Sequence, residues 1–138
     1  MQDEELNFVG CVAQKAIIEH EGRVLLMRNR GRQTWELLGG RLQSGEEPRA
    51  GLARELQEEI GVNVCIGAPI DVGTFILTRT NQPHFFVVYA ATLIDPTAEL
   101  VTPADEVEEV AWFGKDEIET LEIWDNYKQA LKKFFVQS

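Results

Sequence analysis

Three glutamates, Glu55, Glu58 and Glu59, stand at i, i+3 and i+4. On a helix that spacing puts the three carboxylates on one side, within an arc of about 100°. Leu52, Leu56 and Ile60 fill the adjoining arc, so an apolar seam can bury the helix while its acidic edge faces a cleft. Like charges this close repel one another unless a cation compensates them, and hard carboxylate oxygens suit Mg²⁺. The trio belongs to a longer register. Gly40, Glu46, Arg54 and Gly61 accompany it, with aliphatic Leu56 and Val62 interleaved, as G-x5-E-x7-R-E-U-x-E-E-x-G-U, where U is aliphatic. A solvated acidic helix face would account for the amphipathicity, but not for this coincidence.

Several elements are needed to hold these residues. Pro48 suits a first helical position and Gly61 a C-terminal stop, so the helix is predicted over Pro48 to Ile60. Upstream, Val12 to Glu19 and Arg23 to Met27 read as two strands joined around His20-Glu21-Gly22. Thr34 to Leu38 reads as a short extended piece leading into Gly39 and Gly40. Downstream, Val62 to Leu77 and His84 to Leu93 are strand-rich, with Asn81, Gln82 and Pro83 in the turn between them. Val107 to Phe113 reads as another strand. Ile123 to Val136 reads as a C-terminal helix with Leu131, Phe134 and Phe135 facing inward. Strands, a helix, strands and a final helix predict an α+β fold or an α/β/α sandwich, and not alternating βαβ units.

With 138 residues and no linker, repeat or low-complexity tract, residues 1–138 read as a single domain. No apolar run approaches the roughly 20 residues that span a bilayer. The acidic start, residues 1–5, is not followed by an apolar block, so no signal peptide is expected. Cys11 and Cys65 are too few for a disulfide framework, which fits a reducing cytoplasm. A net charge of −10 argues against a nucleic-acid or anionic-membrane surface. The distribution matters more than the sum. Arg23, Arg28, Arg30, Arg32 and Arg41 face a single acid, Glu36, between residues 22 and 41, whereas residues 95 to 125 are crowded with acids around one base, Lys115. The arginine cluster, helped by bound cations, could attract a polyphosphate; arginines solvated on a hairpin are the alternative reading.

The register from Gly40 to Val62 resembles the signature of the Nudix hydrolases, with no position missing. The resemblance is firm over residues 35 to 62 and looser, but in register, for the flanking strands and residues 105 to 125. It implies a sandwich with a mixed β-sheet between helices, the signature forming a loop-helix-loop. It also implies hydrolysis of a phosphoanhydride bond in a nucleoside diphosphate linked to another group, with Mg²⁺ or Mn²⁺ as cofactor. Carried over residue by residue, Glu55, Glu58 and Glu59 would be metal ligands, and Arg54 would orient a signature glutamate through a paired hydrogen bond. Glu46 would tie the preceding loop to the helix. Gly39 or Gly40 would offer a carbonyl to the metal, with Gly39 favoured; a plain turn pair is the alternative. The segment 105–113 resembles the family's strand ending in Trp-Phe, which makes Glu106 the expected additional metal ligand or base and Glu109 the second choice. Dimers are common in the family, so a homodimer is the expected assembly.

Three positions depart from the common pattern. Leu38 stands where proline is usual before the glycine pair. Gly51 stands where alanine is usual inside the helix, at about 1 kcal/mol in helix preference. Glu47 replaces the usual Ser or Thr cap. None removes an expected ligand. For the substrate, the downstream elements linked to ADP-ribose, dinucleoside polyphosphate or NADH preference are not matched: Thr78 and Arg79 occupy those offsets, and Asn81-Gln82-Pro83-His84 lacks the Ser and Trp of the NADH element. Ile123-Trp124-Asp125-Asn126-Tyr127 resembles the element with which MutT-like nucleotide sanitisers grip a purine. There an aromatic stacks on the base while Asp or Asn pairs with its edge. Trp124 and Asp125, with Arg28, Arg30 and Arg41, are thus candidate substrate contacts, and a nucleoside triphosphate, oxidised forms included, is favoured over ADP-ribose or a nucleotide sugar. Core packing and helix capping are the competing roles for Trp124 and Asp125. A binding module of the same fold is the non-catalytic alternative, but such modules usually lose signature glutamates, and all are retained here. A calcium module is excluded because no D-x-D-x-D-G loop is present.

Overall fold

The computed structural model describes residues 6–137; the expectation about a signal peptide concerns residues 1–5, outside those described. Strand β1 (Cys11–His20) turns tightly into β2 (Arg23–Asn29), and a short β3 (Leu38–Arg41) precedes helix α1 (Pro48–Ile60). Two long strands follow, β4 (Val64–Leu77) and β5 (Gln82–Leu93), then β6 (Val107–Phe113), a one-turn α2 (Lys115–Ile118) and α3 (Asp125–Gln137). The sheet order is β4-β5-β1-β2-β6, with β3 also on β1. Only the β1–β5 pairing is parallel, which makes the sheet mixed. Strand β1 changes partner along its length: Ala13 to Ala16 pair with β3, Glu19 and His20 with β2.

Alternation along the central strands divides the apolar residues between two cores. Ala16, Ile18, Leu25 and Met27 face one side, where Leu52, Leu56 and Ile60 of α1 seal them. Ile17, Val24 and Leu26 face the other, against Ile118 and Tyr127, Ala130 and Leu131 of α3. The α/β/α sandwich is therefore real: one sheet, α1 on one face and α3 on the other. Each of the three α1 hydrophobes is wholly buried, a contribution of about 1.5–3 kcal/mol apiece.

Helix α1 has the predicted bounds. Glu47 serves as its N-cap, its side chain accepting from the Ala50 N–H at 2.8 Å. Gly61 closes it in the left-handed region, φ 71°, which glycine adopts without strain. Elsewhere the structure corrects the prediction. The extended piece expected over Thr34 to Leu38 carries isolated bridges at Trp35 and Glu36, but the strand itself is Leu38–Arg41, with both glycines inside it. Gln82 and Pro83 belong to β5, not to the turn. Helix α3 starts at Asp125; Leu131 is sealed, while Phe134 and Phe135 are only half-buried. Helix α2 was not anticipated. Among the described residues no helix is long and apolar enough to cross a membrane.

Candidate active site

The glycine pair and the acidic helix meet where β3 lies beside β1. Gly39 has φ 140°, and a Cβ there would stand 2.0 Å from the Gln14 carbonyl oxygen, so only glycine lets β3 come this close to β1. The Gly39 N–H donates to Glu59 Oε1 at 2.8 Å, across twenty residues of chain. At Gly40 the space a side chain would take is filled by the Glu55 carboxylate, 2.6 Å from an added Cβ. The pair is thus no turn: it is strand backbone against which two of the three acids rest.

Arg54 organises the acids. Its Nε donates to Glu46 Oε2 at 2.8 Å, and its terminal nitrogens reach Glu55 at 3.3 Å and Glu58 at 3.2 Å. The bond to Glu46 holds Arg54 above, and Glu46 below, its ordinary pKa. Glu46 also accepts from the Gln43 N–H at 2.9 Å, so it joins the 41–47 loop to the helix as expected. Its carboxylate occupies the space above Gly51, where an added Cβ would meet it at 2.7 Å. The glycine that looked like a weakness in the helix makes room for this clasp.

Glu59 differs from its neighbours. Desolvation pushes its carboxyl up to about 7, with the charges of Glu55 and Glu36 adding to the rise; Lys15 and the Gly39 N–H oppose it. Among the described residues, no three His, Cys, Asp or Glu side chains converge as a closed metal cage. Glu55 and Glu58 turn to Arg54 instead, the cation at hand. The donor set nevertheless fits a hard divalent ion. Glu59 has a partly buried carboxylate with a single N–H partner, Glu55 lies against glycine backbone, and Glu58 is largely in solvent.

The remaining candidates divide. Glu106 is exposed just before β6, and no hydrogen bond or ion pair joins its side chain to the α1 acids. Glu109 is held by Arg28 at 3.2 Å. Arg28 also donates to the Arg32 carbonyl and lies over the Trp35 ring, while Arg30 clasps the Ala104 carbonyl and Glu108. These two arginines join the end of β2 to the 104–109 segment. Arg41 is exposed, and its side chain has no partner among the described residues. Trp124 is 40% exposed and forms the wall of a cleft of about 330 Å³. Asp125, Asn126 and residues Phe75 to Thr78 at the end of β4 line the rest. Trp124 meets Phe75 edge-on at 5.8 Å and stacks on Tyr127 at 5.9 Å. Trp124 and Asp125 thus line one cleft together with Phe75. Nothing in the β4 sequence singled out Phe75.

The model of the NUDIX domain matches residues 12–134. A "MutT-like protein" of Streptomyces ambofaciens is 30% identical over 102 residues, covering 74% of this chain and 62% of that one. The CTP pyrophosphohydrolase of Escherichia coli (strain K12) is 38% identical over 56 residues, covering 38% of this chain and 42% of that one. The chain therefore spans less than two thirds of the length of either relative. Among solved structures, the MutT NUDIX hydrolase from Burkholderia pseudomallei superimposes with a TM-score of 0.79 at 23% identity, over 91% of this chain and 98% of that one, a likeness of fold. With the signature helix, its arginine clasp and the mixed-sheet sandwich in place, the chain belongs to the NUDIX hydrolase family.

Proposed function

We propose that this protein is a Mg²⁺-dependent pyrophosphohydrolase of nucleoside triphosphates, oxidised forms included, with Mn²⁺ as a substitute. The observation that carries this reading is the meeting of Glu59 with the Gly39 N–H while Glu55 rests against Gly40, an acidic helix edge laid on close strand backbone. When bound, the cation supplies charge neutralisation to adjacent phosphates. The chain's own residues do the rest. Glu55, Glu58 and Glu59 would hold the ion and Gly39 would offer its carbonyl, while Arg54 keeps Glu55 and Glu58 oriented from their shared side. Glu106, whose side chain has no partner among the described residues, is the residue proposed to complete the site as ligand or base. The substrate class follows from the cleft. Its aromatic wall suits a base, and Asp125 and Asn126 at its rim suit the base edge. The CTP pyrophosphohydrolase relative, by its name, handles a nucleoside triphosphate. Two free thiols, Cys11 and Cys65, accord with a reducing cytoplasmic setting.

The test is a phosphate- and pyrophosphate-release screen with Mg²⁺ or Mn²⁺. It spans nucleoside triphosphates, oxidised purine nucleotides, ADP-ribose, sugar nucleotides and dinucleoside polyphosphates. Metal-dependent turnover of a triphosphate is expected, with Glu58→Gln and Glu59→Gln each lowering kcat by about 100-fold or more while the fold is kept. Unchanged rates in both variants would sink the metal assignment.

A further inference from the structure

Strand β1 carries a charge where its pattern calls for a hydrophobe. Ala13 and Ile17 point to the α3 side of the sheet and belong to its core. Lys15 lies between them on the same face, opposite Val88 of β5 and Gly39 of β3. A cation in such a place is unfavourable unless something compensates it. Gln14, which breaks the pattern on the other face, has a structural role, since its Nε2 donates to the Pro48 carbonyl at 2.9 Å and pins the start of α1. Lys15 has no equivalent role. Its ammonium donates to the Leu37 carbonyl at a long 3.3 Å and lies 5.8 Å from the centre of the Tyr127 ring. It forms no ion pair among the described residues, so two of its three N–H groups lack a partner there.

The place of this ammonium is informative. On one side the cross-strand partner of Lys15 is Gly39, whose N–H donates to Glu59. On the other, Tyr127 stacks on Trp124, the wall of the aromatic cleft. Lys15 therefore stands between the acidic site and the cleft. We propose that Lys15 binds the phosphate nearest the ribose, holding a nucleotide with its base in the Phe75–Trp124 cleft and its outer phosphates at the α1 acids. This rests on the reading of the cleft as a nucleotide site and extends it from base to phosphate. A phosphate is the better partner than a base edge. A half-buried ammonium with N–H groups to spare is matched by an anion, and a charge-assisted bond is about twice as strong as a neutral one.

The experiment needs no turnover. Cytidine with CMP, and guanosine with GMP, are titrated calorimetrically into wild type, Lys15→Met and Lys15→Arg, with chelator present. In wild type the monophosphate of at least one pair should bind about tenfold tighter than its nucleoside. Lys15→Met should erase most of that gap while leaving nucleoside affinity within about twofold, and Lys15→Arg should keep it. Lys15→Gln serves as the uncharged variant if Met prevents folding. A gap of the same size without the charge overturns the proposal. So does equal weakening of nucleoside and monophosphate, which would give Lys15 a role in cleft shape alone. Failure of every ligand to bind wild type overturns the nucleotide reading itself, a result distinct from binding that ignores Lys15.

Discussion

A carboxylate in the last turn of a helix faces the negative end of its dipole, at roughly 0.3–1 kcal/mol each. Helix α1 ends with Glu58 and Glu59 there and has no base in that turn. Stability does not explain such a choice; the cation proposed for that edge would. The single arginine within reach, Arg54, is shared among Glu46, Glu55 and Glu58. Two glycines make the packing possible by what they leave out, since Gly40 gives room to the Glu55 carboxylate and Gly51 to that of Glu46. Gly40→Ala should therefore lower kcat/KM by about tenfold or more while shifting the melting temperature by only a few degrees, because the displaced group is the tip of a side chain. A rate equal to wild type would mean that the position of Glu55 is unimportant.

At the level of elements, the two halves of the proposed site belong to elements packed on opposite faces of the sheet. The acids ride on α1, and the cleft lies between the end of β4 and the start of α3. Trp124→Ala should raise KM for purine nucleotides about tenfold, and more than for ribose phosphates, as the loss of one stacked ring implies. Equal effects on both substrate groups would remove the base from the cleft. The α1 half was legible because local signals agree there: Pro48, Gly61 and the Leu52-Leu56-Ile60 period all mark the same helix. Strand β3 was not, because its place is dictated by how closely the backbone of Gln14 and Lys15 approaches Gly39, a contact without a local pattern. Helix α2 was missed for another reason. It is a single turn held by the Gly114 N–H donating to Glu117 at 2.8 Å and by buried Ile118, and glycine hides what a Ser or Thr cap would have announced. Arg28 and Arg30 were legible as part of a cluster, but their partners, Glu109 and Glu108, come from a distant strand.

For the whole molecule, the buried half of the acid trio sets a dependence of stability on pH. Glu59 titrates near 4.5 when unfolded and is pushed up to about 7 in the fold, chiefly by desolvation. The folded state thus holds this proton more tightly. With metal chelated, its contribution is fully present below about 4.5 and is lost as pH rises through about 7. Glu59→Gln keeps an acceptor for the Gly39 N–H and removes the ionisation. It should melt with wild type near pH 4 and above it at pH 8, the difference amounting to about 3 kcal/mol at most. Parallel curves for the two proteins across that range would reject burial as the cause.

That one hydrogen bond between Glu59 and the Gly39 backbone carries a warning for anyone engineering this chain. A selection for heat resistance alone, run at pH 8, would discard the acid, reward its amide, and return a tougher protein stripped of the proposed metal ligand.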